Sequence, residues 1–115
     1  MDFKLLMVFV DQDRTDKVLD AARNAGATGA TIINNAQGQG LRQVKTFFGL
    51  ELLESRSVIL ILAETSRATA VLDAAAVAGG LDDTEDTGVA LELDVNRTLG
   101  LGEHIRALQQ AAPGA

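Results

Sequence analysis

Two runs of consecutive apolar residues, "LLMVFV" (5–10) and "VILILA" (58–63), stand out from an otherwise mixed chain. Each is followed by a short polar segment and then by the same alanine-rich word, "VLDAA", at 18–22 and again at 71–75. Val18, Leu19, Ala22 and Ala25 fall on one stripe at helical spacing, and Val71, Leu72, Ala75 and Ala78 fall on another. Asp13 and Ser66 are the N-cap candidates of these two helices, and Gly26 and Gly79 stand where a left-handed C-terminal residue is wanted. After each helix comes a second strand, "ATIINN" (30–35) and "VALELDV" (89–95). The latter alternates with period two and places Val89, Leu91, Leu93 and Val95 on one face.

The chain therefore reads β-α-β twice. This predicts an α+β, ferredoxin-like βαββαβ fold, with an antiparallel sheet and both helices on one face. About twenty residues, roughly 36–56, join the second strand to the third, where a hairpin needs about two to five. Part of that connection is expected to extend the strands and its tip to be mobile. Strands one and three are apolar on both faces, which predicts that the face without helices is also buried. With no third layer encoded, another copy of the chain is the expected cover, and the chain is expected to be an oligomer.

Composition narrows the class. With 115 residues the expectation is one domain, 1–115, carrying a tail over about 103–115. The absence of cysteine excludes disulfides, thiolate metal sites and cysteine nucleophiles. A net charge of −6 argues against nucleic acid or an anionic membrane as the main partner. The apolar runs are about a third of a spanning length, so no direct membrane insertion is expected. Asp11, Asp13 and Arg14 follow the first run at once, unlike a signal peptide, and the chain is expected to be cytoplasmic.

Candidate chemistry sits mostly in the long connection. "AQGQGLRQ" (36–43) offers glycines that let backbone N–H groups approach an anion, with Arg42 as a charged fork; the alternative is a loop that merely needs glycine. Phe47 and Phe48 are adjacent aromatics that can enter a partner's pocket or pack at an oligomer seam. The acidic segment "LDDTEDTG" (81–88) lacks the spacing of a calcium loop and reads as a solvated turn. His104 is the only histidine, so neither a transition-metal site nor a serine–histidine–acid set can be assembled; it is expected on a short C-terminal helix, facing water. No catalytic residues, no metal site and no resident cofactor are expected, and the protein reads as a non-enzyme.

"VLDAARNAGATGATI" (18–32) with the Gly-x-Gly-x-Arg-Gln segment after it, and "TGVALELDVNR" (87–97), together resemble the P-II nitrogen regulatory proteins over about residues 3–103. The resemblance implies a homotrimeric signalling protein that binds adenine nucleotide, with or without Mg²⁺, in clefts between subunits. It places Gly38, Gly40, Arg42 and Gln43 on one wall and Thr87, Gly88 and Val89 on the other, with Thr31 near the adenine and Arg97 approaching the cleft or held in a surface ion pair. It also implies a partner such as a membrane transporter or metabolic enzyme, contacted through the long loop. The chain carries one residue more than the family pattern between Thr31 and Gly-x-Gly.

Departures from the pattern are specific. There is no tyrosine to modify. Val89 stands where the pattern has a phosphate-binding lysine, Gly100 and Gly102 where it has arginines, and Ser57 where it has a lysine. With so little positive charge, and carboxylates nearby, AMP or ADP is expected to bind better than free ATP. Two other trimeric or dimeric classes share the strand order: CutA-like metal-tolerance proteins, which the lack of cysteine and histidine disfavours, and amino-acid-sensing regulatory domains.

Overall fold

The computed structural model describes residues 2–36, 46–47, 50–51, 56–83 and 88–111. Strand β1 (Phe3–Asp11) runs through a short 3-10 turn into helix α1 (Thr15–Asn24), and β2 (Thr31–Ala36) follows. Two short strands, β3 (Thr46–Phe47) and β4 (Leu50–Glu51), pair only with each other. The third long strand is β5 (Arg56–Glu64), followed by α2 (Thr65–Gly79), β6 (Gly88–Asp94) and α3 (Gly102–Ala111). The four long strands form one sheet in the order β2-β5-β1-β6, and every neighbouring pair is antiparallel. This is the expected ferredoxin-like arrangement, with each βαβ unit split by a strand of the other unit.

The core lies between the sheet and the two repeat helices. Leu6, Val8 and Val10 of β1 and Ile59, Ile61 and Ala63 of β5 meet Val18 and Ala22 of α1 and Ala68, Val71 and Ala75 of α2. Leu19, Ala25, Leu72 and Ala78, the remaining members of the two expected stripes, pack at its margin. Alanine is what lets the helices sit close to a sheet of branched residues, since no aromatic ring is needed to fill the gap.

The caps differ from the sequence expectation. Asp13 lies in the 3-10 turn, Arg14 occupies the N-cap of α1, and Glu64 occupies that of α2, leaving Ser66 inside its first turn. None of these N-caps makes a side-chain hydrogen bond to the helix. The polypeptide instead enters α2 directly from β5, and the Thr65 amide donates to the Asp2 carbonyl at 2.9 Å. Gly26 has the expected positive φ of 119°, but at the end of α2 it is Gly80, not Gly79, that turns left-handed (φ 68°).

The opposite face of the sheet carries a second apolar grid. Pairing sets Leu93, Leu5 and Leu62 in one row, Leu91, Met7 and Leu60 with Thr31 in the next, and Val89, Phe9, Val58 and Ile33 in a third. Ile33 is 48% and Leu93 41% exposed. At the Phe3 end of this face α3 approaches, and His104 meets the Phe3 ring. At the same end Lys4 and Asp94 form an ion pair across β1 and β6, which holds the Asp94 carboxyl below and the Lys4 amine above their usual values, through the hydrogen bond between them.

Candidate ligand site at the two sheet edges

The residues singled out from sequence fall on opposite edges of the sheet. Thr31 is the first residue of β2, on one edge strand, and Gly88 and Val89 open β6, on the other. Two strands separate them, roughly 14 Å at ordinary strand spacing. Arg97 is exposed and lies beyond the end of β6 where Asp94 pairs with Lys4, whereas Gly88 pairs with Val10 at the far end. One chain therefore does not bring Thr31, Gly88 and Arg97 together. Gly38, Gly40, Arg42, Gln43, Phe48 and Thr87 lie outside the described residues; Phe47 lies in β3, paired with Leu50.

Gly88 has a steric reason to be glycine. A Cβ there would come within 2.2 Å of the Phe9 carbonyl oxygen and 2.6 Å of the Leu81 side chain. Its φ of 153° adds to that requirement. The backbone of β6 thus crosses close over β1 at the position where the strand begins.

The root of the long connection is polar and ordered. Thr15 donates through its hydroxyl to Ser57 Oγ at 2.9 Å, and Ser57 donates onward to Asn34 Oδ1 at 2.9 Å. Ser57 is wholly buried, and its alternation with Ile59 and Ile61 places it on the helix-covered face. Beside it, buried Arg56 pairs with Asp11 at 2.9 Å. Gln12 Nε2 donates to Asn35 Oδ1 at 2.9 Å. Three steps along β2, from Ile33 to Ala36, oppose two along β5, from Val58 to Arg56. The extra residue is absorbed as a bulge, with Asn35 at φ 59°.

At the other end of β2, Thr31 borders a concavity of about 500 Å³ floored by Leu5, Leu60 and Leu62. Leu101 and His104 close its far side. His104 lies on a short C-terminal helix, as expected. It is half-buried, its ring 6.3 Å from the Phe3 ring, with Nε2 3.4 Å from Thr28 Oγ1. Sequence reasoning passed over it because a lone histidine has no ligand partner nearby in sequence. The signal that could have found it is the spacing of Leu101, His104, Ile105 and Leu108, which gives the helix one apolar side.

A family model described as nitrogen regulatory protein P-II matches residues 3–85, most of the chain. The chain belongs to the P-II family. P-II proteins are signalling proteins, which agrees with the regulatory class expected from sequence. The match spans β1 through α2 and includes the long connection, whereas β6 and α3 lie beyond it. No curated protein matches the chain in sequence. Among the described residues no helix is long and apolar enough to cross a membrane, and no group of three or more His, Asp or Glu comes together that could hold a metal.

Proposed function

We propose that this P-II protein is a cytoplasmic homotrimer that binds an adenine nucleotide between subunits and passes the signal to a partner protein through the 36–56 connection. The observation that carries the reading is the separation of the two candidate walls onto opposite edge strands. A site using both needs β2 and the loop root of one copy beside β6 of the next. The apolar grid of Leu5, Met7, Phe9, Leu60, Leu91 and Leu93 supports the same assembly, because burying such a face between copies contributes about 25 cal/mol for each Å² removed from water.

The ligand preference follows from charge. Ser57 is directed under the helices and engaged by Thr15 and Asn34, so it offers nothing to a phosphate chain. Val89 provides no cation, and Asp82 and Asp83 stand exposed at the approach to β6. AMP or ADP is favoured over free ATP, and Mg²⁺ relieves the repulsion of a longer phosphate chain. Gly38, Gly40, Arg42 and Gln43 supply the phosphate contacts from one subunit; Thr87, Gly88 and Val89 face them from the other. Ligand contacts at its root order the connection, which presents Phe47 and Phe48 to a membrane transporter or a metabolic enzyme.

Subunit mixing tests this directly. Arg42→Ala disables one wall and Thr87→Asp the other, and each variant alone is expected to lose ADP binding. Co-refolded, the two are expected to regain a fraction of the sites, because some clefts receive an intact wall from each parent. No recovery from a mixture shown by mass to exchange subunits would place the site within one chain and contradict the proposal.

A further inference from the structure

The ladder between β2 and β5 loses step just before the 36–56 connection begins. Thr31, Ile32 and Ile33 oppose Leu60, Ile59 and Val58 in turn, and then Ala36, not Asn35, opposes Arg56. Asn35 is the surplus residue, accommodated by a left-handed backbone with φ 59°. Asparagine takes that conformation more readily than most residues, but it is still the less populated one for an L side chain.

Two side-chain contacts meet this stretch, and they differ in what they fix. Asn34 Oδ1 accepts from Ser57 Oγ, which itself accepts from the Thr15 hydroxyl, both at 2.9 Å. Regular pairing would set Asn34 directly opposite Ser57, so this bond suits either register. Gln12, exposed on the turn before α1, instead reaches Asn35, donating from Nε2 to Oδ1 at 2.9 Å. That bond is made with Asn35 bulged out of the ladder. In regular pairing Asn35 would stand opposite Arg56 and share its face of the sheet, where Arg56 pairs with Asp11 at 2.9 Å. An amide suits that place as well, since its oxygen accepts from a guanidinium and its nitrogen donates to a carboxylate. Asn35 therefore has a polar seat in each register.

We propose that Asn35 is a register switch at the root of the connection, with Gln12 as the catch that holds the bulged setting. Releasing the catch lets β2 pair in step through Asn35. The residues that follow are then drawn back by one position, about 3.3 Å, and turned to the opposite face of the sheet. The switch sets the direction in which the connection leaves β2. A partner or ligand that takes Gln12 or Asn35 as its own hydrogen-bond partner throws it from outside the sheet.

NMR spectroscopy of the ligand-free full chain reads the register directly, through the cross-strand proton contacts of Arg56. The wild type is expected to show Arg56 against Ala36, with microsecond-to-millisecond exchange at residues 34–36. Gln12→Ala removes the catch and disturbs nothing buried. It is expected to raise the population of the second register roughly three- to tenfold, the loss of one hydrogen bond. Asn35→Val, whose branched side chain disfavours a positive φ, is expected to make residue 35 the main contact of Arg56. An Arg56–Ala36 contact that stays the main one in Asn35→Val would overturn the switch and leave a fixed bulge. Exchange at 34–36 that is absent, or unchanged by Gln12→Ala, would overturn it equally, and this result decides the matter should Asn35→Val fold poorly. With no nucleotide in the sample, the outcome is independent of whether the ligand site is as proposed above.

Discussion

Ser57 illustrates how one residue changes what a site can hold. A lysine at this position, as in the P-II pattern, would need its amine to reach solvent or a phosphate. Here the side chain is wholly buried beneath the helices and donates to Asn34. Restoring the lysine is therefore expected to fail as a gain of function. Ser57→Lys would force an ammonium into a wholly buried site and strand the Thr15 hydroxyl. The expected cost is about 3 kcal/mol or more, read from chemical denaturation, with no gain in ATP affinity. A Ser57→Lys protein of unchanged stability and tighter ATP binding would show that the position opens to the ligand. The substitution was legible in the sequence; the direction of the side chain was not, because a continuous apolar run such as "VILILA" does not say which face each residue takes.

At the scale of elements, the repeated "VLDAA" word and its flanking strands were sufficient to foresee the topology, because apolar periodicity and sheet burial are the same physical fact. Helix ends were harder. Asp13 and Ser66 are good capping residues by type, yet both helices begin where tertiary packing of the preceding strand delivers the polypeptide. The two glycines at the end of α2 separate the same effects. Gly80 carries the left-handed conformation, and a Cβ there would come within 2.5 Å of Arg14 Nη1; Gly79 remains helical, with its nearest such contact at 3.1 Å, to a Val10 methyl. Gly80→Ala is expected to destabilise the protein by about 1 kcal/mol or more, and Gly79→Ala by less, because helical alanine partly offsets the tighter packing. Denaturant midpoints for the pair decide it; the reverse order would return the C-cap to Gly79. The bulge at Asn35 was not visible in the sequence, and α3 was expected only as a short C-terminal helix.

For the whole molecule, the informative feature is a sheet with two apolar faces and one set of covering helices. Apolar strands one and three announced the second face, and pairing with β6 extended it through Leu91 and Leu93. The placement of candidate ligand residues on opposite edges follows from the strand order that the repeat foretold, not from residue type. In the proposed reading, that placement couples assembly to ligand binding, with each cleft completed by a neighbour. The most direct test is calorimetric titration of the purified protein with AMP, ADP and ATP, each with and without Mg²⁺. The account predicts saturable binding near one ligand per chain, with AMP or ADP tighter than ATP in the absence of Mg²⁺. Heats indistinguishable from dilution across the panel would contradict it and leave the glycines of 36–43 as loop flexibility alone.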